Sequence, residues 1–141
     1  MLWKFAKHGI GEHSPKRAVK YVLNKRGRNG QLRHGVRIVA GSAREFLGIA
    51  SNLRHLKHKY KSFVMSWADE EGPSLMEIQE EITRWEEVAF AGLEKGAYSY
   101  LAVLHESETG GHDLHILTPR CAILPNGRIL SLNICPARMQ A

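Results

Sequence analysis

Apolar and polar positions along the chain change period several times, and each change marks an element. Met1-Leu2-Trp3-Lys4-Phe5-Ala6-Lys7 alternates in the manner of a short strand. After a Gly-containing loop, Ser14-Pro15 reads as an N-cap with proline at the first helical position. This predicts a helix to about Asn24, with Val19, Val22 and Leu23 on its apolar side. Val36 to Ala40 predicts a second strand. Gly41-Ser42 then opens a second helix, Ala43 to about Asn52, and Ser62 to Ala68 predicts a third strand. Past the turn Asp69-Glu70-Glu71-Gly72-Pro73, Ser74 and Glu77 form a capping box for a long helix reaching Gly92-Leu93. Its acids Glu77, Glu80, Glu81, Glu86 and Glu87 interleave with Met76, Ile78, Ile82, Trp85, Val88 and Ala89, as on an amphipathic helix with a wet face. Tyr98 to Leu104 and Leu114 to Leu117 read as two strands facing each other across a Gly-Gly turn. Pro125-Asn126-Gly127-Arg128 is a hairpin turn before a short strand, Ile129 to Leu132. The order βαβαβαβββ predicts an α+β fold: a central antiparallel sheet of about five strands with helices packed on it.

Length and composition narrow this picture. The 141 residues suffice for one domain, 1–141, with a real core. No apolar run approaches the ~20 residues that span a bilayer, and the N-terminus has no apolar signal-peptide core, so no membrane partner and no export are expected. Cys121 and Cys135 lack CxxC spacing and are expected as reduced thiols. The formal net charge of +6 hides an asymmetry. Residues 1–61 hold fifteen Lys and Arg against two acids, giving +13, and residues 62–141 hold five against twelve, giving −7. The basic charges collect in several separate segments, among them Lys25-Arg26-Gly27-Arg28-Asn29-Gly30. That distribution favours a polyanion, most often nucleic acid, over a solvated loop.

Candidate chemistry concentrates between His105 and Arg120. On a strand through Leu114, side chains alternate, so His112, Leu114 and Ile116 point one way and Asp113, His115 and Leu117 the other. His105, at the end of the neighbouring strand, can close on Asp113 and His115. Two imidazoles and a carboxylate suit a divalent metal such as Mg²⁺ or Mn²⁺ with open positions, rather than a closed structural zinc. Tyr21, among Lys16, Arg17, Lys20 and Lys25, and Tyr60, within Lys59-Tyr60-Lys61, are both flanked by cations. Positive charge near a phenol favours the phenolate and so a nucleophile. Spacing alone does not choose between the two tyrosines.

Several stretches in order resemble the HUH-type plasmid relaxases, the mobilization nucleases, and in particular their colicin-plasmid branch with a His…Glu-x-Asn signature. Ala18-Val19-Lys20-Tyr21-Val22-Leu23 resembles the motif bearing the nucleophilic tyrosine. Lys59 to Ala68 resembles the internal strand after the second helix, and Gly92-Leu93-Glu94-Lys95 with Tyr98 the approach to the metal hairpin. His105 to Arg120, then Asn126 to Leu130, resembles the metal motif and the strand beyond it. The resemblance implies Tyr21 as nucleophile and His105, Asp113 and His115 as ligands of Mg²⁺ or Mn²⁺. It assigns Tyr60 to the fold or to DNA contact. It further implies single-stranded DNA at an origin of transfer as substrate, a 5′-phosphotyrosine intermediate, accessory relaxosome proteins and a cytoplasmic setting. Lys16, Arg17, Lys20, Lys25, Arg26, Arg28, Lys59, Tyr60 and Lys61 are the expected DNA contacts, with Trp3 as a base-stacking candidate. This chain departs from the branch in carrying Asp113-x-His115 where the branch has Glu-x-Asn. That departure motivates a second reading, a single-stranded DNA-binding module without cleavage. Metal-assisted hydrolysis with water as nucleophile is a third.

Overall fold

A serine hydroxyl caps each of the three helices found among the described residues. The computed structural model describes residues 2–5, 14–27, 30, 35–67, 72–107 and 110–132, with backbone alone for 2–5. Ser14, Ser42 and Ser74 each accept a hydrogen bond from the backbone N–H three residues on, at 3.2 Å. Each bond satisfies one of the donors that a helix start leaves orphaned. The helices are α1 (Pro15–Leu23), α2 (Ala43–Ala50) and α3 (Leu75–Ala89). Strands β1 (Leu2–Phe5), β2 (Gly35–Gly41), β3 (Tyr60–Trp67), β4 (Leu101–Glu106) and β5 (His112–Pro119) form one sheet in the order β1-β3-β5-β4-β2, with every pairing antiparallel. The expected α+β sheet with packed helices is therefore what the chain forms.

Alternation along the strands divides the core in two. Phe63, Met65, Ala102, Leu104, Leu114 and Ile116 face α3, where Ile78, Ile82 and Trp85 meet them. Leu101, Val103, Leu117 and Tyr60 face the other way, against Val19 and Val22 of α1 and Phe46 and Ala50 of α2. Trp85 stands edge-on to Phe63, Phe90 and Tyr100 with ring centroids 5.2–5.6 Å apart, a favoured aromatic geometry. Met76 and Val88, expected on the apolar side of α3, are 71% and 38% exposed. The buried stripe of α3 is the narrower set at 78, 82 and 85.

The fourth strand starts later than its apolar run predicts. Residues 98–100 connect the two helical layers instead of pairing: the Tyr98 and Tyr100 hydroxyls donate to Glu86 on α3, and the Ser99 hydroxyl donates to Glu45 on α2 at 3.1 Å. Gly41, at φ +76°, ends β2 where its Cα lies against the Tyr100 carbonyl. A strand not named by the pattern, β6 (Cys121–Ile123), pairs with β7 (Ile129–Ser131) as a separate two-stranded sheet closed by the expected Pro125–Arg128 turn. Cys121 is a buried free thiol, its pKa raised by burial. No helix among the described residues is long and apolar enough to cross a membrane. Arg28, Cys135, the Trp3 side chain and Asp69, Glu70 and Glu71 of the expected turn lie outside the described residues.

Candidate functional site

Register assembles the candidate residues on the face of the sheet that α1 and α2 cover. His105 of β4 lies opposite Asp113 of β5, and Asp113 lies opposite Ser66 of β3, so the three occupy one rung of the sheet. Two residues along β5, His115 stands between Val103 and Val64. Asp113 and His115 share a face because they are two residues apart on a strand. The His105 and His115 rings are tilted by 38° with centroids 4.3 Å apart. The Ser66 hydroxyl donates to Asp113 Oδ1 at 2.6 Å, within the short range of bonds to an ionised carboxylate.

Helix α1 reaches this cluster through both its backbone and a side chain. His105, 5% exposed, has its Nε2 2.5 Å from the carbonyl oxygen of Val22. A carbonyl only accepts, so Nε2 carries the proton and Nδ1 is left with the lone pair in the neutral ring. Val22 lies in the last turn of α1, where carbonyls lack partners within the helix. An imidazole N–H at that end also suits the negative pole of the helix. The adjacent residue, Tyr21, presents its ring edge-on to His115 with centroids 6.5 Å apart, and it is 42% exposed. Its flank results from the helical turn: Val19 and Val22 are buried while Lys16, Arg17, Lys20 and Tyr21 face outward.

The remaining expected DNA contacts divide. Lys25 and Arg26 follow α1 directly and are exposed, with the Arg26 side chain donating to the Gly30 carbonyl at 3.1 Å. Tyr60 is 3% exposed within the core between β3 and α2, its ring edge-on to Phe46 and its hydroxyl pKa raised by burial. It belongs to the fold, which corrects its assignment as a DNA contact. Lys59 and Lys61 sit at the start of β3, where Lys61 pairs with Thr118, five residues and so roughly 17 Å along the strand from Ser66. By alternation Lys61 also lies on the α3 side. Lys61 therefore lies on the face of the sheet opposite the one that carries Asp113 and His115.

Neither a family model, nor a curated protein, nor a solved structure matches this chain. In kind, the donors fit a divalent ion: two imidazoles and a carboxylate on one face, with His105 held by a backbone carbonyl through one ring nitrogen, as metal-binding histidines commonly are. Among the described residues, no group of three His, Cys, Asp or Glu is placed so that it could hold a metal ion. Sequence reasoning missed Ser66 and the Val22 carbonyl. Their roles depend on register across strands and on how a helix docks, and neither is written in local spacing.

Proposed function

We propose that this protein is a metal-dependent, strand-specific DNA nicking-joining transesterase that acts on single-stranded DNA at an origin of transfer, with Tyr21 as nucleophile. The observation that carries this reading is the convergence of three distant segments. An exposed tyrosine among lysines and arginines stands beside His115, and its neighbour's carbonyl holds His105. A buried histidine tied to a helix end is also common as plain packing, but packing does not call for an exposed phenol ringed by cations at the same spot.

Lys16, Arg17, Lys20, Lys25 and Arg26 would hold the backbone phosphates of an unpaired strand. His105, Asp113 and His115 would be the ligands of Mg²⁺ or Mn²⁺, which when bound supplies charge stabilisation to a phosphate under attack. The Tyr21 oxygen forms a bond to phosphorus as the bond from phosphorus to the 3′ oxygen breaks. The proton lost by the phenol is balanced by the one the departing 3′ oxygen takes up. The 5′ end stays on the protein as a phosphotyrosine ester, so a 3′-hydroxyl can reverse the step and rejoin the strand. A cytoplasmic setting and relaxosome partners belong to the same reading.

The test uses end-labelled single-stranded oligonucleotides with and without Mn²⁺, run on a denaturing gel. A metal-dependent band keeping the 3′ label on the protein, and lost in Tyr21→Phe, is expected. An adduct that survives both EDTA and Tyr21→Phe refutes the assignment. The departure to Asp113-x-His115 favours a second reading, a binding module without cleavage. Salt-sensitive retention of the oligonucleotide with no adduct would establish that reading.

A further inference from the structure

We infer that Arg44, Arg54 and Lys57 form a second stretch of nucleic-acid surface, which carries the backbone of a single strand onward from α1 across α2 and the segment that follows it. The inference rests on the proposed reading of α1 as a single-stranded DNA contact. Helices α1 and α2 share one face of the sheet, packed together through Val19, Val22, Phe46 and Ala50. The segment after α2 begins and ends on that face. Leu53 is buried and its N–H donates to the Ala50 carbonyl at 3.2 Å, and the Leu56 N–H donates to the Leu53 carbonyl at 3.1 Å. These turns hold the segment against the end of α2, with Arg54, His55 and Lys57 exposed. At its far end Tyr60 enters β3 with its ring edge-on to Phe46 of α2.

Charge along this part of the chain is almost all of one sign, and some of it is placed against helix stability. Residues 13–68 hold thirteen Lys and Arg and a single acid, Glu45. Glu45 accepts a hydrogen bond from the buried Ser99 hydroxyl at 3.1 Å. A face that is merely solvated mixes both signs, as α3 does where Arg84 pairs with Glu81. Lys16 and Arg17 stand in the first turn of α1, which holds no acid, and Arg44 stands in the first turn of α2. The positive pole of a helix disfavours a cation there. A run of phosphates offsets both that penalty and the mutual repulsion of the cations by neutralising them. Tyr60, where the segment ends, lies six residues of β3 from Ser66, roughly 20 Å along the strand. The segment therefore meets nucleotides removed from the one beside His115.

The test measures filter binding of the full chain to an oligothymidylate of about 16 nucleotides, the upper end of what one small single-strand-binding domain covers, across a salt series. The variants are Arg44→Gln, Arg54→Gln, Lys57→Gln, the three combined, and Arg84→Gln on the opposite face, each with a thermal melt beside it. The triple variant is expected to reduce the slope of log affinity against log salt by about 0.7 for each phosphate its side chains neutralise, with an unchanged melting temperature. Arg84→Gln is expected to keep the wild-type slope. A wild-type slope in the triple variant, beside a reduced slope in Lys20→Ala, overturns the second stretch and leaves the α1 contact standing. A reduction in Arg84→Gln as large as in each single variant overturns it too, because net charge and not this surface would then set the binding. A wild-type chain that binds no oligonucleotide, or that binds vesicles of anionic phospholipid in its place, overturns both. Reduced slopes in the segment variants without any tyrosine adduct support the second stretch and remove the transesterase reading instead.

Discussion

The bond between His105 and the last turn of α1 gives the most discriminating stability test. His105 is 5% exposed and its Nε2 lies 2.5 Å from the Val22 carbonyl. A glutamine amide nitrogen occupies nearly the place of Nε2, whereas an asparagine amide nitrogen reaches only as far as Nδ1. His105→Gln therefore keeps a donor for the carbonyl, and His105→Asn strands it. Leaving a buried carbonyl unsatisfied costs about 1–3 kcal/mol, and the shorter side chain adds a small void beside His115. His105→Asn is expected to be less stable than His105→Gln by about 2 kcal/mol, equivalent to a fall in Tm of roughly 4–8 °C in a chain of this size. Urea unfolding followed by circular dichroism measures the difference, and hydrogen exchange at the amides of α1 locates it. Equal stability of the two variants, with equal protection of α1, would mean that the carbonyl finds water or another donor and that α1 is held by Val19 and Val22 alone.

Three further outcomes are expected. Gly41→Ala places a Cβ into the Tyr100 carbonyl at a backbone φ of +76°; a loss of about 2 kcal/mol or more in urea unfolding is expected, and a wild-type midpoint would refute the close packing. Tyr100 has its pKa raised by burial first and by its bond to Glu86 second, from an ordinary 10.0. A raised folded pKa contributes stability below the unfolded value that is lost as pH rises past it, so stability should fall above about pH 10. Tyr100→Phe should flatten that fall in thermal melts between about pH 8 and 11, and identical pH profiles would count against it. On the nucleic-acid reading, Lys20→Ala should weaken oligonucleotide binding and reduce the slope of log affinity against log salt by about 0.7 for each phosphate that the lysine neutralises. An unchanged slope in filter binding would remove Lys20 from the interface.

Much of the fold was legible because the signals that specify it are local. Three serine caps and a proline at the start of α1 fixed the helix starts, and the burial of Leu114 and Ile116 on one side of β5 and Leu117 on the other follows from alternation alone. Tyr98 and Tyr100 are strand formers by composition, yet β4 begins only at Leu101, and their hydroxyls donate to Glu86, 12 and 14 residues back on α3. Met76 failed for a different reason. It sits one turn before Glu80 on the outer side of α3, and an apolar residue in the first turn can extend past the edge of the sheet that covers the rest of the helix.

The two cation-flanked tyrosines show where sequence reading stopped at the site. Both are preceded and followed within a few residues by lysine or arginine, so the electrostatic signal is the same for each. What separates them is the period on which each sits. Tyr21 is two residues from Val19, a step of about 200° around a helix, and so turns away from the core, 42% exposed. Tyr60 is two residues from Ser62 and four from Val64 on a strand, and so shares the face that α1 and α2 cover, where it is 3% exposed. Burial keeps the Tyr60 side chain from the surface, whereas Tyr21 is exposed beside His115. A tyrosine-selective reagent such as N-acetylimidazole should therefore modify Tyr21 ahead of Tyr60 in the folded protein, and peptide mapping that found Tyr60 modified first would count against Tyr21 as the proposed nucleophile.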